Sequence, residues 1–439
     1  MSAPDKLTQL MTDGRVPFSE DDLADKFSTE HRDDLRYCHD WGCWLEWTGT
    51  HWRVDRTVHV FDLVRDVCRQ AAAQCNSNGK RLATAATVSA VERLARADRR
   101  HATISEQWDA DPFALNTPGG TVDLRTGEMR PNRPEDYLTK CTAVATGEDC
   151  PTWHQFLVRI TEGNEDLIGF LQRVVGYSIT GSTREHALFF GYGTGANGKS
   201  VFCNTIARIM ADYHRAAPAD VFMASRTDHH PTELAGLQGA RLVTATETEE
   251  NRRWAESRIK ALTGGDPIAA RYMRQDFFEF TPVFKLFVAG NHKPRLRTVD
   301  EAIRRRLHLI PFSVTIPKTE RDPGLPEKLK AEWPGILAWA IDGAVEWHTN
   351  GLQPPAVVTD ATLEYLAGED LIAVWIEDRC HQEPDARTLA SELHKSFKEW
   401  AEATSERSMS QRAFSTALES HGFKKEKTRD GRYFIGLRV

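Results

Sequence analysis

Eight consecutive residues, Gly193, Thr194, Gly195, Ala196, Asn197, Gly198, Lys199 and Ser200, fit the pattern GxxxxGK[ST], whose chemistry is the capture of nucleotide phosphates. Small residues there let successive backbone N–H groups turn inward around an anion. A helix beginning at the end of such a loop adds a favourable dipole. Lys199 would reach the β- and γ-phosphates and Ser200 would hold Mg²⁺. A nucleoside triphosphate and Mg²⁺ are therefore expected here, bound by residues 193–200 with Val201. Hydrolysis also needs a carboxylate at the end of a neighbouring buried strand. Residues 241–246 (RLVTAT) read as that strand, and Glu247 closes it as the metal-side carboxylate. Glu249 is a second candidate, as the base that activates water, against the plainer reading of a solvated acidic turn. Asn291 follows FKLFVAG, at the carboxyl end of another apolar strand, where α/β sheets place ligands. An amide there can orient water against a γ-phosphate. Arg304, Arg305 and Arg306 precede one more strand. They read either as an exposed basic turn or as an arginine finger aimed at a neighbouring subunit's nucleotide.

These groups need a scaffold, and the surrounding pattern supplies one. LFF at 188–190 runs into the loop, and a helix follows over 200–211. The apolar runs at 241–246, 284–290 and 307–312 alternate with helical stretches, which predicts a largely parallel sheet in an α/β domain. Upstream the texture is α+β. CWLEWTGTHWRVD (43–55) reads as two aromatic strands joined at 48–50. Apolar residues at helical spacing then predict helices over 58–75 and 84–100, a short strand over 121–124, and a helical lead-in from Pro151. Trp44, Trp47 and Trp52 could stack bases, but cross-strand packing in a small hairpin is favoured. Pro354-Pro355 marks a linker. After it, helices over 371–380, 389–404 and 411–421 precede a basic hairpin over 423–439. That hairpin carries six Lys/Arg against two acidic residues on a chain of net charge −7.

Composition bounds the class. The 439 residues, 40% hydrophobic and 27% charged, suggest about three ordinary globular domains. Eight cysteines without regular spacing read as reduced thiols rather than a disulfide framework. Cys38 and Cys43 lack a complementary pair or His cluster for zinc. No apolar run approaches the ~20 residues of a membrane helix, and MSAPDKLTQL is no signal-peptide core. The expectation is a cytoplasmic protein without a membrane partner.

Taken together, GTGANGKS, ATETEE, LTGGDPIAARYMRQDFFEF and VAGNHKPRL with RRRLHLIPF resemble, in order and spacing, superfamily 3 helicases of the phage/plasmid primase–helicase family, related to the poxvirus primase–helicase. The resemblance implies a P-loop, AAA+-like ATPase core over 151–353, its helical lead-in at 151–185. It implies a helicase-associated α+β domain over 31–150 after a lead-in at 1–30, a linker at 354–370, and a C-terminal winged-helix domain over 371–439. It implies an ATP-dependent replicative DNA helicase working as a ring, a hexamer in that family, in the bacterial host of a phage, prophage or plasmid. Arg305 and Arg306 align with the family's paired arginines. Arg304 stands where the family often has an aromatic residue, which leaves the finger's identity open, with Arg305 favoured. The region between the acidic strand and Asn291 would form a hairpin, strands 268–271 and 277–280, tipped by Met273, Arg274 and Gln275. Lys260, Arg271 and Arg274 could contact the phosphates of a single DNA strand.

Two other readings stay open. One is a primase–helicase in which residues 1–150 make primers; Asp109 and Asp111 form a superficial carboxylate pair, read as structural. The other is an origin-binding initiator that uses nucleotide only to control assembly. A separate primase or replication initiator is a further expected partner. In the tail, Phe414 and Leu418 would face the core of helix 411–421, leaving Gln411, Arg412 and Ser415 exposed. With Asp430-Gly431 as the turn, Lys427, Arg429 and Arg432 would sit near the tip of a wing, contacting duplex phosphates. Contacts to protein alone are the competing use.

Overall fold

A computed structural model describes residues 16–75, 79–224, 232–247, 252–274, 276–296, 299–404, 406, 408–428 and 431–439, with the side chains of 247, 385 and 420 left aside. The chain divides into two compact units: residues to Glu148 with Ile209–Tyr213, and Asp149–Arg208 with His214–Val439.

In the first unit, helix α1 (Glu20–Glu30) starts at Ser19, whose hydroxyl accepts from Asp22 N–H at 3.1 Å. Strands β1 (Leu35–Cys38), β2 (Cys43–Trp47), β3 (Trp52–Val54) and β4 (Ala102–Thr103) form a sheet in the order β3-β2-β1-β4. Helices α2 (His59–Gln74) and α3 (Ala85–Ala97) pack Val60, Val64, Val67, Val88 and Val91 onto Leu23, Phe27 and Trp44. The predicted helical spacing is thus the buried stripe. Trp47 lies opposite Trp52 in the register. Trp52 is wholly buried, and its indole donates to Pro134 O at 2.8 Å. Trp44 is also buried and donates to Glu92 at 2.6 Å. These rings build the core, as cross-strand packing requires. A smaller sheet comprises β5 (Ala114–Thr117), β6 (Gly120–Asp123) and β7 (Met129–Arg130).

The second unit opens with α4 (Pro151–Thr161) and α5 (Glu165–Ile179) and is built on a five-stranded sheet. Its strands are β8 (Leu188–Tyr192), β9 (His214–Ala216), β10 (Leu242–Glu247), β13 (Lys285–Gly290) and β14 (Leu307–Pro311). Their order is β14-β8-β13-β10-β9, every pair parallel. The first strand in the chain therefore lies between the last two, so the connections leaving the neighbours β8 and β13 run in opposite directions across the sheet. That is where α/β sheets open a crevice at their carboxyl ends. β13 is buried along its whole length, as a central parallel strand must be. Helix α6 (Lys199–Met210) follows β8, and a hairpin of β11 (Ile268–Ala270) and β12 (Phe278–Phe280) follows α7 (Glu256–Gly264).

The structure departs from sequence expectation at three places. Residues 354–370 are no linker: α9 (Trp333–Asn350) is followed by α10 (Ala356–Glu369). Ala361, Tyr365 and Leu366 of α10 are buried in the sheet's core, and Thr362 accepts from Leu309 N–H at 3.0 Å. Pro354-Pro355 leads into this helix instead of separating domains. The edge strand β9 was not anticipated. Nor was β15 (His381–Leu389), which lies between α11 (Leu371–Arg379) and α12 (Ala390–Ala403). The segment ends with α13 (Gln411–Ser420), β16 (Lys425–Lys427) and β17 (Arg432–Arg438), in a sheet ordered β15-β17-β16 around Phe397, Phe414 and Phe434.

Candidate functional site

Four strands end level. Glu247 of β10 pairs with Gly290 of β13, Gly290 with Tyr192 of β8, and Tyr192 with Pro311 of β14. The next residues along β13 and β8 are Asn291 and Gly193, so the strand-end asparagine and the glycine loop share the carboxyl edge. Glu247 lies in this row by its backbone; Glu249 falls outside the described residues.

The loop is held from below. Asn197, 2% exposed, donates from Nδ2 to Phe312 O at 3.0 Å, and Ala196 O accepts from Ile316 N–H at 2.8 Å. Two glycines are required by space. A Cβ on Gly193 would lie 2.2 Å from Phe312 O; one on Gly198, whose φ is +84°, would lie 2.5 Å from Ile160 Cγ2. Only glycine fits both the close approach and the left-handed turn. Thr194 and Ala196 are exposed, Gly195 and Val201 half-buried, and Ser200 is exposed in the first turn of α6.

Lys199 is 5% exposed. Its ammonium donates to Gly193 O at 2.7 Å and to Asn291 Oδ1 at 3.4 Å. Burial pulls its pKa down, and no carboxylate pairs with it among the described residues. A desolvated cation with only neutral acceptors gains most from an incoming anion.

The three arginines diverge. Arg304 reaches Asp370 at 3.2 Å. Arg306 is 6% exposed; it donates to Thr263 Oγ1 at 3.1 Å and Ala302 O at 2.8 Å. Burial, then the neighbouring Arg305, lowers its pKa. Arg305 closes the short helix α8 (Glu301–Arg304), is exposed, and has no side-chain partner among the described residues. The expectation that Arg306 shares the catalytic surface therefore fails: its fork is spent inside the fold.

In the hairpin, Met273 and Phe277 are 71% and 60% exposed. Arg274 is exposed, and Arg271 lies over the Phe277 ring at 4.8 Å. Gln275 is outside the described residues. Lys260 does not join this surface as expected; its ammonium is paired with Asp300, the residue that caps α8. Farther on, Arg412, Lys425 and Arg432 line a groove of about 660 Å³ with Gln411 and Thr416, and Lys427 is exposed. Arg429 and Asp430 are outside the described residues. Ser415, expected on the surface, is 7% exposed and lines that groove beside Arg412. Asp109 and Asp111 hold structure: Asp109 binds Lys140 at 2.7 Å and Asp111 binds Arg125 at 2.9 Å.

Sequence reasoning missed Asp300, Thr263 and Asp370, which orient Lys260, Arg306 and Arg304. Only Asp300 had a signal, as an N-cap before Glu301-Ala-Ile303.

Residues 24–162 match the family described as D5 N terminal like, and residues 191–306 match a family of unknown function, DUF5906. The chain is 25% identical over 321 residues to the protein named "Putative helicase L207/L206" of Acanthamoeba polyphaga mimivirus, a match covering 66% of this chain and 33% of that one. It is 25% identical over 337 residues to "Putative helicase 121R" of Invertebrate iridescent virus 3, covering 67% and 36%. The match thus spans about a third of these relatives. Two solved apo structures of the NrS-1 C-terminal region share the fold, at TM-scores of 0.53 and 0.55, 9% identity, and coverage of 95% of this chain and 98% of theirs. These likenesses bear out the resemblance to the primase–helicase family. The bacterial host finds no support, since these curated relatives belong to viruses of eukaryotes. Among the described residues no helix is long and apolar enough to cross a membrane.

Proposed function

We propose that this chain, a relative of the viral primase–helicases, is an ATP-dependent DNA helicase that translocates on single-stranded DNA as a homo-oligomeric ring. The observation that carries the reading is the meeting of Lys199 and Asn291, 3.4 Å apart, at the carboxyl edge of a parallel sheet.

The loop 193–200 forms a P-loop in this reading. Its N–H groups and the start of α6 cradle the phosphates. Lys199 leaves its two neutral acceptors for the β- and γ-oxygens, and the Asn291 amide turns to the attacking water. Ser200 and Glu247 would hold Mg²⁺, which would supply charge compensation for the phosphoryl group being transferred. Glu247 ends two strands from Tyr192, roughly 10 Å away by strand spacing, which leaves space for a γ-phosphate, metal and water between them. Beside the loop a groove of about 490 Å³, walled by Phe156, Val201, Ile316 and Leu325, has room for the base.

Arg305 acts on the neighbouring subunit's nucleotide. Its exposure and lack of a side-chain partner among the described residues support this; Arg304 and Arg306 are both engaged. The hairpin tip, with Arg271, Arg274 and Phe277, tracks one DNA strand through charge and stacking. The C-terminal helices and sheet act as a winged helix whose Arg412, Lys427 and Arg432 meet duplex phosphates.

The test is ATP hydrolysis and strand separation by the full chain with Mg²⁺ and single-stranded DNA, alongside its assembly state by electron microscopy. Rings with DNA-stimulated turnover are expected. A chain that stays monomeric and inert under those conditions ends the reading.

A further inference from the structure

Helix α13 presents three faces to three surroundings. Phe414 and Leu418 are wholly buried in the C-terminal module's own core. Gln411, Arg412 and Thr416 line the basic groove. Ala413, Ala417 and His421 look the other way, onto a small cavity shared with Leu296 and Val299. Those two residues belong to the segment between Asn291 and the arginine turn. A helix clamped between a groove and that segment cannot shift toward one without disturbing the other, because packed elements move as rigid bodies.

One carboxylate joins these parts. Asp370 is 7% exposed. Its Oδ1 accepts from Ala373 N–H at 3.2 Å, capping α11, and from His421 Nε2 at 3.0 Å at the end of α13. Its Oδ2 accepts from Arg304 at 3.2 Å. The preceding residue, Glu369, accepts from Leu296 N–H at 2.7 Å. The α10–α11 junction thus grips both the segment after Asn291 and the arginine turn, while His421 ties that junction to the groove helix.

We propose that Asp370 is a positioning residue that couples nucleic-acid occupancy of the C-terminal groove to the Arg304–Arg305 turn. Phosphates drawn to Arg412 and Arg432 shift α13; His421 carries the shift through Asp370 to Arg304, and Arg305 follows as the next residue. The coupling rests on the nucleotide and DNA reading above. It adds a route by which duplex binding sets turnover.

The experiment uses the full chain and a duplex oligonucleotide as the probe. It compares wild type, His421→Ala and His421→Gln by the kcat and KM for ATP, with and without saturating duplex, and by duplex Kd. Saturation removes affinity differences from the comparison. Duplex should change wild-type kcat by about fivefold or more, about 1 kcal/mol in the barrier. His421→Ala should keep basal kcat, KM and duplex Kd while the duplex effect shrinks toward onefold. Glutamine, which restores a donor to Asp370, should bring much of it back. A residue that only held the module in place would change Kd or basal kcat instead, and that result would overturn the coupling. So would a duplex effect equal in all three proteins, or no duplex effect on an active wild type. An inactive wild type would instead strike at the helicase reading itself.

Discussion

Arg305 and Arg306 are neighbours in sequence and opposites in place: Arg305 is exposed at the end of α8 without a side-chain partner among the described residues, while Arg306 is 6% exposed and bonded to Thr263 Oγ1 at 3.1 Å. Their substitutions should therefore fail differently. Arg305→Ala should keep the wild-type melting temperature and ATP affinity yet lose ~10³ or more in kcat, the usual cost of an absent finger. Arg306→Ala should cost about 2–4 kcal/mol of stability, through lost hydrogen bonds and a cavity. Calorimetry with steady-state kinetics separates them; equal melting temperatures for the two variants would contradict the division.

A finger acting between subunits makes defects complementary. Arg305→Ala and Lys199→Ala chains, each inactive alone, should regain ATPase when mixed, because some interfaces then hold an intact loop and an intact arginine. No recovery at any ratio, with both variants still forming rings, counts against a shared site.

The hairpin separates Arg274 from Lys260 despite their common charge. Arg274 is exposed at the tip, whereas Lys260 is engaged by Asp300. Arg274→Ala should weaken single-stranded DNA binding and lower the salt slope by about one counterion. Lys260→Ala should leave that slope unchanged. A reduced slope in the Lys260 variant would place it back on the DNA path.

Acid should weaken the fold through His308 of β14, whose ring lies 5.5 Å from that of Phe189 and 6.1 Å from that of Phe170. Burial pushes its pKa down to about 4, against about 6.5 in the unfolded chain. Between those values the unfolded chain binds the proton and the folded one does not, so stability falls as pH falls. The share from His308 is about 2 kcal/mol between pH 7 and pH 5. Denaturant unfolding at the two pH values should show His308→Leu losing that much less than wild type, with His214, also pushed down to about 4, still contributing in both. Identical losses would mean the ring is protonated when folded.

Much of this was legible from the residues because the sheet strands are buried on both faces. The runs at 188–190, 241–246, 284–290 and 307–312 stand out as apolar, and the structure has strands at each. The glycine loop and Asn291 were legible because their positions follow from strand ends. What escaped was whatever depended on tertiary packing. β15 contains Pro384 and no apolar alternation, and it pairs through a register shift between Gln382 and Arg387. β9 is a three-residue edge of His214, Arg215 and Ala216. Helix α10 hid behind two prolines that read equally as linker or helix start. Partner choice hid most completely: nothing in the spacing of Lys260, Arg304 and Arg306 says that Asp300, Asp370 and Thr263 hold them.

In the proposed function the Lys199–Asn291 pocket binds the nucleotide that drives strand separation. ATP binding, ATP hydrolysis and unwinding of a forked DNA, measured side by side on wild type and Lys199→Ala, address it most directly. Wild type should perform all three, and Lys199→Ala should keep its fold and ring while hydrolysis and unwinding disappear together. Unwinding that persists in the Lys199→Ala chain would contradict it.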